Sequence, residues 1–151
     1  MSERILVAMD GSATAECALR VAIKQAAGKG SVRLVYAVED GYPVDEEACA
    51  LIDFDAMEQA ANETGERVLL YAAEKVRESG TEVETALIVG EGERPARVID
   101  REARKWKADL IVIGAHGGSG ISRLRLGSVA DEVLRGASVP VLLVHRECVV
   151  L

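Results

Sequence analysis

The sequence predicts an α/β fold, an open five-stranded parallel sheet with helices on both faces. Short runs of β-branched and aliphatic residues recur along the chain without polar alternation, which is typical of strands buried on both faces of a parallel sheet. Segments with apolar residues at helical spacing separate these runs. Of the residues, 49% are apolar but only 3% are aromatic, so aliphatic side chains and alanine must form the core. The length of 151 residues suits a single domain spanning 1–151.

The predicted elements alternate as β-α-β-α-β-α-β-α-β. Right-handed crossovers between parallel strands would then place helices on both faces of the sheet. Charged residues alternate at the start of the third strand, and a proline opens the fifth, so both are expected near sheet edges. The predicted strands cover residues 4–9, 32–38, 83–89, 110–113 and 139–144, and the predicted helices cover 15–27, 54–77, a segment from Pro95, and 129–135.

Local signals mark the helix ends. Ser12 or Thr14 is placed to cap the first helix. Pro95 suits the first turn of the third helix, where its missing N–H group has no consequence. Gly65 lies inside the second helix, where glycine costs about 1 kcal/mol relative to alanine. This long helix is interpreted as a cover for the sheet that carries no site residues.

Charge and cysteine usage exclude several classes of function. Lysine plus arginine number 18 and aspartate plus glutamate number 25, which gives 18 − 25 = −7 and disfavours nucleic acid or anionic lipid as partners. The three cysteines show no C-x-x-C spacing, which argues against a disulfide framework or a zinc site and favours free thiols. No apolar run has the length of a signal segment or membrane span, so a cytoplasmic protein is expected.

A glycine-rich loop follows the fourth strand and carries the strongest functional signal. Gly114 and Gly117 are followed by Gly127-Ser128 and then by the predicted helix 129–135, with Ser128 placed to cap it. Glycines let backbone N–H groups approach an anion, and a helix N-terminus favours negative charge. Strand, loop and helix together predict a phosphate-binding site.

The spacing of these glycines resembles a known motif. Gly114, Gly117 and Gly127-Ser128 fit G-x2-G-x9-G-[S/T], the pattern of the ATP-binding branch of the universal stress protein family. The resemblance covers essentially the whole chain, and it extends to residues 5–10, 34–38, 92–95 and 140–144. It implies a Rossmann-like fold of the adenine nucleotide alpha hydrolase-like type, with strand order 3-2-1-4-5. The first and fourth strands would then be neighbours, and ligands bind where the strand order reverses.

The resemblance also implies phosphate-contacting residues. Gly114, Gly117, Gly127 and Ser128 match the nucleotide-contacting positions of the motif. The amides of Gly117, Gly127, Ser128 and Val129 would hold the phosphates, and the Ser128 hydroxyl would add a further hydrogen bond. His116 lies within the loop, at a position where ATP-binding relatives often have histidine; a structural hydrogen bond is the alternative role. Two arginines in the same loop would neutralise phosphates or would simply be exposed charge, namely Arg123 and Arg125.

Further residues are implied for the nucleoside. Asp10, at the end of the first strand, would reach the ribose, although a turn aspartate that caps the first helix is the alternative. The backbone of Ala37 would meet the adenine edge. Ala8 stands where many relatives have proline, which would change only the wall of the site. Magnesium or manganese would accompany the nucleotide, with Asp10 as the nearest ligand. ADP or AMP could replace ATP.

Hydrolysis and other enzyme functions have little support. The sequence contains no G-x-x-x-x-G-K-[ST] motif, no G-x-S-x-G elbow and no kinase signature, so at most weak ATP hydrolysis is expected. One alternative is a small enzyme that uses adenine nucleotides on the same fold. Such enzymes carry an S-G-G-x-D-S-type loop, whereas residues 9–13 read MDGSA. Another alternative is an interaction module without nucleotide.

A homodimer is the expected assembly. The last strand, with its apolar residues 141–144, would leave an open edge in a monomer, and unpaired apolar edges favour aggregation. In the family the equivalent strands pair across a two-fold axis. Residues 39–55 are interpreted as a loop on the surface or at a dimer contact.

Overall fold

The computed structural model describes residues 3–38, 47, 50–51, 53–90, 92–115 and 127–145. Within them, strands and helices alternate in the predicted order. The last strand begins later than predicted, because Pro140 lacks the N–H group that a ladder residue donates. The elements are β1 Arg4–Met9, α1 Ala13–Ala26, β2 Ser31–Val38, α2 Phe54–Glu78, β3 Glu82–Val89, α3 Pro95–Trp106, β4 Leu110–Gly114, α4 Ser128–Gly136 and β5 Val141–Val144.

The five strands form one parallel sheet in the order β3-β2-β1-β4-β5, as expected. β1 is the central strand, and Val7 lies opposite Leu34 of β2 on one side and Val112 of β4 on the other. β3 and β5 form the two edges, which explains their less complete burial. This order places the ends of β1 and β4 side by side.

The helices form a layer on each face of the sheet. α1 and α2 pack on one face, against Ile5, Val7 and other residues of the central strands. α3 and α4 pack on the opposite face, against Leu6, Ile111 and their neighbours. Burial on both faces explains the missing polar alternation: Ile5, Leu6 and Val7 are all 0% exposed. Each such side chain contributes about 1.5–3 kcal/mol relative to leaving it in water.

The helix starts confirm one predicted cap and correct another. Ser12 caps α1, and its hydroxyl accepts a hydrogen bond from the Ala15 N–H at 3.2 Å. Ser128 is not the cap of α4, because the helix begins at Ser128 and Gly127 is the N-cap. Gly127 has extended backbone angles, and its carbonyl accepts the Asp131 N–H at 3.0 Å.

Gly65 proves to be a packing requirement rather than a tolerated residue. A β-carbon at Gly65 would lie 2.5 Å from Leu87 Cδ1 and 2.8 Å from Tyr36 Cδ1. Its absence lets α2 approach β2 and β3 closely, so the glycine offsets its cost in helix propensity through packing.

The structure also bears on the cysteines and on membrane-spanning segments. Cys17 of α1 is disulfide-bonded, which corrects the expectation of free thiols. The other two cysteines, Cys49 and Cys148, lie outside the described residues. None of the helices in the described part of the chain combines the length and the apolar character that crossing a membrane requires.

Candidate functional site

A cleft opens at the carboxyl ends of β1, β2 and β4. Its volume is about 480 Å³, which is in the range of small-molecule sites. The connection from β1 leads to a helix on one face of the sheet, and the connection from β4 leads to a helix on the other. The two chain segments therefore diverge at this point and leave a crevice between them, as in other open parallel sheets.

The start of α4 forms one wall of the cleft. Gly127, Ser128, Val129 and Ala130 all line it. The first N–H groups of a helix have no acceptor within the helix, and the helix dipole makes this end electropositive. The wall therefore favours an anionic group such as a phosphate.

Hydrogen bonds fix this wall to the sheet. The Ala115 N–H donates to the Val144 carbonyl at 2.8 Å, which ties the chain after β4 to the end of β5. The Gly127 N–H in turn donates to the Ala115 carbonyl at 2.6 Å. The start of α4 is thus held at the carboxyl end of β4, although residues 116–126 between them lie outside the described part of the chain.

The turn between β1 and α1 presents a carboxylate to the cleft. Asp10 Oδ1 accepts the Ser12 N–H at 2.8 Å, and Gly11 between them has a φ of +82°, a left-handed conformation that favours glycine. Asp10 does not cap α1, since Ser12 has that role. Asp10 is exposed, and its Oδ2 has no hydrogen bond within the described residues, so it remains available to a ligand.

Gly114 serves the packing of the site. A β-carbon there would lie 2.8 Å from the carbonyl carbon of Thr14 and 2.9 Å from Thr14 Oγ1. The end of β4 can therefore contact the start of α1 only because Gly114 has no side chain. This close approach brings together two segments that line the cleft.

Tyr36 and Ala61 also line the cleft, and the sequence interpretation included neither. Ala61 corrects the expectation that α2 carries no site residues. Tyr36 lies on β2 opposite Met9, the residue before Asp10. Burial raises the pKa of Tyr36 above its ordinary value of 10.0, and the negative charge of Asp10 raises it further. A tyrosine at the carboxyl end of a strand next to a predicted ligand-binding turn was the available signal.

The structure brings most of the predicted site residues together. The cleft is lined by Ala8, Asp10, Ala37, Gly114, Gly127, Ser128 and Val129. His116, Gly117, Arg123 and Arg125 lie outside the described residues. Among the residues that the structure describes, no three histidine, cysteine, aspartate or glutamate side chains are grouped as a metal site would require.

Comparison with protein families identifies a match over nearly the whole chain. The Universal stress protein family model matches residues 1–145. Universal stress protein Rv2005c of Mycobacterium tuberculosis is 33% identical over 150 residues, which cover 94% of this chain and 45% of that protein. Universal stress protein YxiE of Bacillus subtilis is 31% identical, with 96% of this chain and 100% of that protein covered. The chain thus spans about half the length of some relatives and the full length of others.

Solved structures give the same result. The structure of hypothetical protein MJ0577 superposes with a TM-score of 0.81 at 25% identity and covers 99% of both chains. A universal stress protein in complex with cAMP has a TM-score of 0.65 at 26% identity, covering 97% of this chain and 98% of that one. The universal stress protein from Archaeoglobus fulgidus in complex with dAMP has a TM-score of 0.63 at 28% identity, covering 95% and 98%. On this evidence the chain belongs to the universal stress protein family.

Proposed function

We propose that this protein binds an adenine nucleotide in the cleft and acts as a nucleotide-dependent regulatory protein of the stress response. ATP is the expected ligand, and ADP and AMP are the alternatives. The observation that carries the proposal is the position of Gly127: it caps α4 at the cleft, so the unpaired first amides of that helix lie where phosphates would bind. The adenine nucleotides in two related structures, cAMP and dAMP, support the ligand class.

The nucleotide would lie along the carboxyl ends of the strands. The amides of Ser128 and Val129 would bind the phosphates, together with the Ser128 hydroxyl. The Gly127 amide, which the motif also implied as a phosphate donor, already donates to the Ala115 carbonyl. Asp10 would accept a hydrogen bond from the ribose through the oxygen that Ser12 leaves free. The backbone of Ala37 would meet the adenine edge. Gly114, His116 and Gly117 would complete the loop around the phosphates, and Ala8 would form part of the wall.

A magnesium or manganese ion would arrive with the triphosphate. Such ions are usually held by phosphate oxygens, water and one or two carboxylates. Asp10 supplies one carboxylate, so the described residues fit an ion that the nucleotide carries and do not fit an ion that the protein holds alone. We expect ATP to bind more weakly in the presence of EDTA.

The proposal includes at most weak hydrolysis. The Ser128 hydroxyl and the helix amides bind phosphate, but the sequence has no lysine placed as in a P-loop. ATP hydrolysis at about 10 per second, a typical enzyme rate, would contradict this part of the proposal. A cytoplasmic location also stays a prediction, which cell fractionation would test.

The proposal also includes a homodimer formed through β5. This edge strand presents Leu142, which is 37% exposed, together with partly buried Val141 and Leu143. Pairing two β5 strands would cover these side chains and satisfy the free backbone groups of the edge.

The first experiment identifies the nucleotide and its site. Freshly purified protein is denatured, and released nucleotide is identified by chromatography. Protein freed of nucleotide is then titrated calorimetrically with ATP, in parallel with a Gly127→Val variant. The backbone angles of Gly127 are extended and suit valine, so the variant should fold. Gly136→Val is the control, because Gly136 ends the same helix in open space. ATP binding by the wild type and the control, with loss in Gly127→Val, supports the proposal. No adenine nucleotide binding by folded wild type overturns it.

A further inference from the structure

We propose that Tyr36 recognises the sugar of the bound nucleotide. The Tyr36 hydroxyl donates a hydrogen bond to one ribose hydroxyl, and the Asp10 carboxylate accepts a hydrogen bond from the neighbouring ribose hydroxyl. The inference rests on the proposed nucleotide function and adds to it a selectivity for ribonucleotides over the matching deoxyribonucleotide. It assigns a role to a side chain that the glycine motif does not include.

The sheet places the two residues close together, at the carboxyl ends of β1 and β2. Tyr36 lies directly opposite Met9 in the β1–β2 register, and Asp10 follows Met9 at the end of β1. Both residues line the cleft. The sugar of a nucleotide whose phosphates lie at the start of α4 would extend away from β4, toward β1 and β2.

The tyrosine ring is held in place from behind. Position 65 of α2 would put a β-carbon 2.8 Å from Tyr36 Cδ1 and 3.0 Å from Tyr36 Cε1, so glycine lets the ring lie directly against the helix backbone. Ala61, one turn earlier on α2, lines the cleft beside it. A ring fixed in this way loses little conformational freedom when a ligand binds.

The hydroxyl of Tyr36 is available to a ligand. Tyr36 is half-buried, and within the described residues its hydroxyl has no hydrogen-bond partner. Buried tyrosine hydroxyls usually do have one. A tyrosine hydroxyl keeps its proton at neutral pH and is therefore a donor, and burial together with the charge of Asp10 raises the pKa of Tyr36 further.

The two groups match the chemistry of a vicinal diol. An ionised carboxylate only accepts hydrogen bonds, whereas a phenol hydroxyl donates one. Two adjacent ribose hydroxyls can satisfy both at once, since each hydroxyl donates one hydrogen bond and accepts others. A deoxyribose lacks one of the two hydroxyls and would leave one protein group unpaired, which is the source of the selectivity.

The test compares Tyr36→Phe with the wild type by calorimetric titration with ATP, 2′-deoxyATP and 3′-deoxyATP. The phenylalanine ring keeps the packing contact with Gly65, and only the hydroxyl is lost. Tyr71→Phe is the matched control, because Tyr71 is an exposed tyrosine of α2 that lies under Lys75 outside the cleft.

Tyr36→Phe should weaken ATP binding by about fivefold, the usual effect of one hydrogen bond. The same substitution should leave the affinity unchanged for the deoxy analogue that lacks the hydroxyl bound by Tyr36. Tyr71→Phe should bind all three nucleotides with the affinities of the wild type. An equal loss for all three nucleotides, or no loss for ATP, would overturn the role of Tyr36 while the proposed function stands. A folded wild type that binds none of the three would overturn both.

Discussion

Gly114 lies against Thr14 so closely that a β-carbon on the glycine would be 2.8 Å from the carbonyl carbon of the threonine. The contact joins the end of β4 to the first turn of α1 and brings together the two chain segments that border the cleft. Glycine at this position is therefore required by packing, independently of any phosphate that the loop binds.

Replacement of Gly114 by alanine should destabilise the protein by about 1–3 kcal/mol, the usual cost of forcing a methyl group into a filled space. The contacted atoms belong partly to the backbone, which cannot rotate away as the end of a long side chain can. Urea denaturation followed by circular dichroism measures the change. Gly136→Ala adds the same methyl group where nothing lies within 4 Å. That control should be stabilised by about 0.4–1 kcal/mol or remain unchanged, and equal effects at the two positions would contradict the packing role.

Substitution of Leu143 by lysine should convert the proposed homodimer to monomer, because a charge on β5 would be buried when two edges pair. Sedimentation velocity measures the change. Since Leu143 also packs against the α3–α4 layer, Leu142→Lys provides a second test at a position that is 37% exposed.

The matched control for the dimer is Leu70→Lys. Leu70 is another exposed leucine, 63% exposed on α2, which packs on β2 and β3 at the other end of the sheet from β5. It should leave the sedimentation coefficient unchanged. A dimer that persists in folded Leu142→Lys and Leu143→Lys would rule out the β5 interface.

The fold was predictable from the sequence because each strand and helix carries its own local signal. Val7 and Ile111 lie in apolar runs without alternation, and a strand buried on both faces has no polar face to show. The side chains and positions of Ser12 and Thr14 made both candidates for the cap of α1, and the structure shows that Ser12 is the cap. The strand order, by contrast, came from the family resemblance, since local signals do not say which strands are neighbours.

The site was predictable in part, for a related reason. Gly127 and Ser128 both belong to the residue types that cap helices, so the sequence could not say which one occupies the cap. Tyr36 was missed because alternation along β2 gives only the face on which a side chain lies. Its position beside the cleft depends on Gly65 of α2, a contact between residues far apart in the chain.

Replacement of Gly65 by alanine should destabilise the protein by about 1–2 kcal/mol, although alanine is the better helix former. The added methyl group would meet Leu87 Cδ1 at 2.5 Å and the Tyr36 ring at 2.8 Å, and α2 would have to move away from the sheet. Urea denaturation measures the loss. The neighbouring exposed Thr64→Ala changes helix propensity without this contact and should be neutral or stabilising. A Gly65→Ala protein more stable than the wild type would show that α2 does not need the close approach.

Alkaline pH should weaken the fold partly through Tyr36. Its pKa is raised above 10.0 in the folded protein by burial and then by Asp10, so the unfolded chain loses this proton first. Between the two pKa values the native state binds more protons, and the free energy of unfolding falls as pH rises. The contribution is intact below about pH 10 and is lost as pH rises through the folded pKa. Urea unfolding at about pH 8 and about pH 11 gives the free energy of unfolding at each pH. Between the two, this free energy should fall less for Tyr36→Phe than for the wild type or Tyr71→Phe. Equal losses in all three proteins would mean that Tyr36 titrates as it does in the unfolded chain.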